Sequence, residues 1–274
     1  MDSVSLVVFE ADTQVTASKI SLPFLSRRDL PPTSKKGNVR AAGKGYEMVF
    51  ENDGTQRRLH GHMDSFTKES GITFDLLLTD EPEESMVIVT PYRDHPKAFY
   101  YNQKINCMRV SGSIQYNGKE YVCSPSDTFA VLDWGRGVWT YDNTWYWGSA
   151  SGLADGVPFG FNIGYGFGDT SAASENVLFY DGKIHKLSQV RFEIPIKDGK
   201  EDYLAPWRFT SDDGRFEMTF EPVMDRSALT NLGVICSDQH QVFGRFSGTA
   251  VLDDGKEVHI EKLMGFAEKV RNKW

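Results

Sequence analysis

Apolar and polar residues alternate with a period of two over much of the chain, in the runs 46–51, 56–63, 73–79, 86–90, 98–102, 109–116, 129–132, 215–221 and 240–251. That period lays one side of a strand on a core and turns the other toward polar surroundings. Turn chemistry bounds the runs: Asn52-Asp53-Gly54, Asn117-Gly118, Asp212-Asp213-Gly214 and Asp253-Asp254-Gly255. The clearest hairpin spans 177–187, where Asp181-Gly182 accepts the left-handed dihedrals of a two-residue turn at little cost. It places Lys183 and His185 on one face and Ile184 on the other. The pattern predicts an all-β protein of antiparallel strands. One helix is expected, a short one at the C-terminus, because Phe266, Val270 and Trp274 fall at i, i+4 and i+8.

Two stretches break the alternation. Residues 26–45, with Arg27-Arg28, Pro31-Pro32 and Lys35-Lys36, read as a loop or crossing connection whose charges are solvated. Past residues 123–127 glycine and tryptophan become commoner, which predicts a first β unit over 1–125 and a second over 126–274.

With 274 residues, 40% of them hydrophobic, the chain can bury a sizeable core. A net charge of -8 without a basic stripe argues against nucleic acid as a partner. No apolar run approaches the roughly 20 residues of a spanning helix. The first ten residues lack a basic region and a long apolar centre, so the expected address is cytoplasmic. Cys107, Cys123 and Cys236 form neither a disulfide framework nor a zinc set and read as ordinary thiols. His60-x-His62 has no carboxylate or cysteine at ligand spacing, and Gly164-x-Gly166-x-Gly168 belongs to a strand instead of a phosphate loop. Neither a metal nor a dinucleotide cofactor is expected.

Candidate chemistry gathers in residues 133–152, which hold four of the six tryptophans, two tyrosines, two aspartates and an arginine among glycines. Rings this dense form rigid apolar walls, and charged groups among them need partners or water. Parity puts Asp133, Trp139, Tyr141, Asn143, Trp145 and Trp147 on one face, with Gly135 or Gly137 as the place where the register can shift. In residues 159–168 aromatic and aliphatic side chains take one side, glycines and Asn162 the other. The glycine side either receives side chains of a neighbouring sheet or admits a flat ligand, with Asn162 as its hydrogen-bonding group.

Four charged groups are candidates for the same enclosure: Asp133, Arg136, Glu175 and His185. A carboxylic acid desolvated among tryptophans has a raised pKa and donates a proton, whereas one paired to arginine stays ionised. Plainer readings stand beside each: an Asp133–Arg136 salt bridge, Glu175 capping the loop before it, and a structural His185. Gln241, Phe243 and Arg245 alternate against His240, Val242 and Gly244, so Arg245 or His240 lines the interior of a closed barrel according to register. Trp207-Arg208 and Asp225-Arg226 read as structural.

The run 133–139, continued by 145–152 and including Trp134, resembles the signature of the family called domain of unknown function 2804. Blocks at 103–107, 175–187, 206–208, 239–248 and 265–268 fit as well, so the resemblance spans nearly the whole chain. Members of that family usually begin with an additional N-terminal portion, so the resemblance implies a first β unit shortened at its start. It implies no activity. More remotely, two successive all-β units are similar to the lipocalin-like architecture of carotenoid hydratases and tocopherol cyclases. This implies two consecutive antiparallel lipocalin-like β-barrel or sandwich units.

The leading expectation is a protein that takes an apolar, lipid or isoprenoid-like small molecule in an aromatic pocket without a cofactor. If it is catalytic, the expected chemistry is proton-driven hydration, isomerisation or cyclisation. Asp133 or Glu175 is then the acid, His185 its proton partner and Arg136 the holder of a carboxylate, while Trp139, Trp145 and Trp147 flank a developing cation. The competing readings are a non-catalytic lipid- or carbohydrate-binding module and a purely structural aromatic core.

Overall fold

The structure, a computed structural model, describes residues 2–10, 13–21, 29–231 and 233–273. Every regular element among them is a strand. In chain order these are β1 (Asp2–Glu10), β2 (Thr13–Ser21), β3 (Val39–Gly43), β4 (Tyr46–Asn52), β5 (Arg57–Met63), β6 (Ile72–Thr79), β7 (Met86–Pro91), β8 (Phe99–Tyr116), β9 (Lys119–Cys123) and β10 (Phe129–Val138). There follow β11 (Asp142–Ala154), β12 (Val157–Tyr165), β13 (Val177–Tyr180), β14 (Lys183–Lys186), β15 (Val190–Glu193), β16 (Ile196–Lys197), β17 (Lys200–Glu201), β18 (Trp207–Ser211), β19 (Phe216–Asn231), β20 (Cys236–Val251) and β21 (Glu257–Lys273). Among the described residues no helix is long and apolar enough to cross a membrane.

Contacts divide the chain into two compact units. Met1–Glu81 with Met108–Ala130 forms the first, and Pro82–Cys107 with Val131–Trp274 the second. Strand β8 gives residues 108–116 to the first unit and 99–107 to the second. The segment carrying β7 and the start of β8 thus packs with the C-terminal half of the chain.

In the first unit β3, β4, β5, β6 and the later half of β8 pair antiparallel in that order. Tyr46, Met48, Met63, Phe66 and Ile72 form its core, and Val4, Leu6 and Ala17 of the β1–β2 hairpin pack against it. The expected loop over 26–45 is corrected at its end. Residues 39–43 form β3, with Val39 opposite Phe50 and Gly43 opposite Tyr46. Local composition there is poor in strand formers, and pairing with β4 overrides it. Arg27 and Arg28 lie outside the described residues.

The second unit is built on a nine-stranded sheet in the order β14-β13-β12-β11-β21-β20-β19-β18-β15. The sheet curls until β15, at one end, meets β12 near the other. Rings fill the curl: Phe161 lies 5.0 Å from Phe216 and 4.9 Å from Phe246, and Tyr165 lies 5.5 Å from Phe192, each edge to face or nearly so. Phe159, Phe161, Phe209, Phe216, Phe220 and Phe246 are fully buried. The hairpin turn at Asp181-Gly182 has φ of 49° and 80°, the left-handed pair that such a turn requires.

The expected C-terminal helix is not formed. Residues 265–273 are the end of β21, paired with β11 on one side (Ala267 opposite Gly148) and β20 on the other (Ala267 opposite Val242); Trp274 lies outside the described residues. Spacings of four and eight are even numbers, so Phe266 and Val270 share a strand face as readily as a helix face. Two open strand edges in a curled sheet decide between them.

Candidate functional site

With the inside of the curl packed by phenylalanine, the polar and tryptophan side chains of the same strands project from its outer face. One row crosses four strands there: Gln241 on β20 lies opposite Glu268 on β21, Glu268 opposite Trp147 on β11, and Trp147 opposite Gly164 on β12. Residues 99–104 of β8 and 131–138 of β10 cover this row. Gly135 and Gly137 let β10 close onto β8, since a Cβ on Gly137 would stand 2.1 Å from the Phe99 carbonyl oxygen. Between cover and sheet is a cavity of about 380 Å³. Trp139, Trp145, Phe167 and Tyr100 wall it, and Lys104, Asp133, Glu175 and Glu268 enter it.

The walls hold each other. Phe167 receives Tyr100 at 4.9 Å, Trp145 at 5.4 Å and Trp139 at 5.8 Å between centroids, contacts worth about 0.5–1.5 kcal/mol apiece beyond their burial. Parity alone would put Phe167 with the core-facing Phe159, Phe161 and Ile163. Gly166 and Gly168, at φ of 96° and 86°, turn the chain after β12 and deliver Phe167 to the other side. Trp147 donates its indole N–H to Asn162 Oδ1 at 2.7 Å and meets Phe266 edge-on at 4.8 Å.

Lys104 is the charged centre. Its Nζ lies 2.9 Å from Asp133 Oδ2, 3.8 Å from Glu175 Oε2 and 3.9 Å from the centroid of the Trp147 ring. An ammonium this buried costs several kcal/mol in lost hydration, which a close carboxylate and a desolvated tryptophan face offset. Glu175 is fixed in turn by Asn162, whose Nδ2 donates to Oε2 at 3.0 Å, and by Asn102 Nδ2 at 3.4 Å. The glycine side of β12 is therefore filled by side chains. A Cβ on Gly164 would stand 2.7 Å from Glu175 Oε1, and one on Gly160 would stand 2.7 Å from Cys107 Sγ.

Glu268 is 4% exposed and accepts from Trp145 Nε1 and Gln241 Nε2, each at 2.9 Å. Burial pushes its carboxyl above the usual carboxylate range, against the pull of those two donors and of Lys104; Asp133 adds to the push. Burial likewise raises the Tyr100 phenol, helped by the charges of Asp133 and Glu175, so it stays neutral.

Of the residues singled out from sequence, Asp133, Glu175, Trp139, Trp145 and Trp147 line the cavity, and Asn162 braces it from below. The others lie elsewhere. His185 has its Nδ1 within 3.2 Å of both the Asp253 amide and Asp253 Oδ2. Arg136 lies 5.4 Å over the ring of Trp134, which packs edge-on to Tyr101, so Asp133 pairs with Lys104 and not with Arg136. Tyr141 is half exposed and donates to the Val234 carbonyl. His240 projects from the opposite sheet face, stacked on Tyr203 at 3.8 Å with Nδ1 2.7 Å from Asp225. Arg245 is exposed. Lys104, Asn102, Gln241 and Glu268 were not singled out. Asn102, Lys104 and Asn106 alternate like a solvated strand face, and a helix with Phe266 and Val270 on its apolar side would turn Glu268, two residues from each, toward solvent.

Several solved structures are similar to this chain, among them the following three. A protein designated AttH from Nitrosomonas europaea shares 17% identity over 93% of this chain and 76% of its own, with a TM-score of 0.55, which shows a common fold. Kievitone hydratase from Nectria haematococca matches at 8% identity over 86% of this chain and 84% of its own, TM-score 0.41. CghA, solved with Sch210972, matches at 12% over 90% and 73%, TM-score 0.46. No curated protein sequence matches. The tryptophan-rich block that lines the cavity, the β8 block that covers it and the β21 block that holds Glu268 all fall within one family match over residues 1–274, and the chain belongs to that family, Domain of unknown function (DUF2804).

Proposed function

We propose that the cavity of the second unit binds an uncharged small molecule with an apolar body, lipid or isoprenoid in kind, and that Glu268 delivers a proton to it. The observation that carries this reading is an aromatic chamber of about 380 Å³ into which a carboxyl opens whose pKa burial has raised. A neutral acid in a ring-walled space protonates an alkene, carbonyl or hydroxyl of a bound molecule, and indole faces stabilise the positive charge that develops. Lys104 with Asp133 and Glu175 provides the fixed polar pole against which the ligand is oriented. No step calls on a cofactor.

Intrinsic fluorescence tests the binding half, since Trp139, Trp145 and Trp147 all line or border the chamber. Saturable quenching by members of a panel of isoprenoid and fatty alcohols, acids and hydrocarbons is the expected result. Emission indifferent to the whole panel would leave the rings a purely structural core. For the catalytic half, ligand incubated in deuterated water and read by mass spectrometry should gain deuterium with the native protein. Glu268→Gln should bind as tightly and incorporate none; equal incorporation would remove Glu268 from the role of acid.

A further inference from the structure

We infer that the ligand of this chamber carries a hydroxyl group, held between Lys104 and Asn102. The inference rests on the chamber being a small-molecule site, as proposed above, and specifies the group that the site is built to receive.

Asn102 lines the chamber and is 1% exposed. Its Nδ2 donates to Glu175 Oε2 at 3.4 Å, while its Oδ1 is buried and has no hydrogen-bond partner. The opposite amide orientation would set oxygen against a carboxylate, so the orphan is an acceptor. A buried acceptor without a donor is destabilising, and in native proteins such a group is nearly always met by a donor from protein, water or ligand. Lys104 follows two residues later on the same side of β8. Its ammonium has three N–H donors and only one short carboxylate contact, Asp133, the rest of its surroundings being Glu175 at 3.8 Å and the Trp147 ring.

An acceptor and a donor side by side on one strand face define what fits between them. A hydroxyl accepts from the ammonium and donates to Asn102 Oδ1 with a single atom. Ethers and ketones accept only and leave Asn102 empty. A hydrocarbon answers neither group. A carboxylate offers acceptors alone and meets Asp133 and Glu175 with like charge. Sites that hydrogen-bond a hydroxyl reject the analogue lacking it, because the buried groups are then stranded.

One carbon skeleton in several oxidation and substitution states tests this on the full chain. Geraniol, geranyl methyl ether, myrcene, geranic acid and geranylamine are titrated against tryptophan fluorescence and calorimetry. Geraniol should bind about 10- to 100-fold more tightly than the ether or the hydrocarbon, with the acid weakest. Asn102→Leu should bring geraniol down to the affinity of the ether and leave the ether unchanged. Should that variant fail to fold, the ligand series on the native protein still decides. Equal affinities across the series would overturn the hydroxyl while leaving the small-molecule site intact. An amine bound more tightly than the alcohol would overturn it in favour of a cationic head group. No binding by any of the five overturns the hydroxyl and the proposed site together.

Discussion

Glu268 keeps its carboxylate between two N–H donors and still titrates high, so desolvation outweighs two hydrogen bonds at this residue. The sign of the linkage follows. With the folded pKa above the unfolded one, the contribution of Glu268 to stability is fully present below the unfolded carboxyl range and is lost as pH rises through the folded value. Urea denaturation between pH 4 and 8 should show the native protein losing ground to Glu268→Gln as pH increases; parallel profiles would contradict the raised pKa. Asp133 acts at the same scale on Lys104. Asp133→Asn leaves the ammonium with Glu175 at 3.8 Å as its one carboxylate, and with Asp133 one-third exposed the loss should be roughly 1–3 kcal/mol by urea midpoint. Residues of the tryptophan block were legible because ring density and acids stand out locally. Lys104 was not, because polar residues spaced by two look the same under water and under a covering strand.

Strand β12 shows what glycines accomplish at the scale of an element. Gly164 leaves the space that the Glu175 carboxylate occupies, and the Tyr146 carbonyl closes it from the other side at 2.9 Å from a would-be Cβ. Gly164→Ala should therefore displace Glu175, cost about 1–3 kcal/mol by thermal or chemical denaturation and weaken ligand quenching. A variant with native stability and binding would show the space to be unnecessary. Strand β21 carries the main error of the sequence reading. Its register against β20 shifts between Phe246 and Gly248, and Lys262 takes a φ of 53°. The inward-facing positions change from even (Val258, Ile260) to odd (Ala267) across this bulge. Alternation counted straight through residues 257–273 fails, and a helical spacing of apolar residues is what remains visible. The hairpin over β13 and β14 was legible because its turn is specified by two adjacent residues, with no distant partner required.

At the scale of the whole molecule, antiparallel all-β architecture followed directly from period and turns. The composition of the units did not, because grouping residues 82–107 with 131–274 depends on long-range packing that no local pattern encodes. A fragment comprising residues 131–274 keeps the tryptophan block yet lacks Asn102, Lys104 and β7. Expressed alone, it should bind an apolar fluorescent dye through uncovered surface and show no saturable quenching by geraniol. Binding equal to that of the full chain would place the site elsewhere. Conversely, a ligand at 100 times its Kd should stabilise the intact protein by about 2.7 kcal/mol.

The chamber and the ring-filled interior hang back to back from the same strands, while the lid over the chamber comes from other parts of the chain. On the binding role proposed above, side chains on β8 and β10 could change which molecule the chamber takes without disturbing a single phenylalanine inside the curl. The layer that would choose a guest and the layer that holds the barrel together are thus separate sets of side chains on one scaffold.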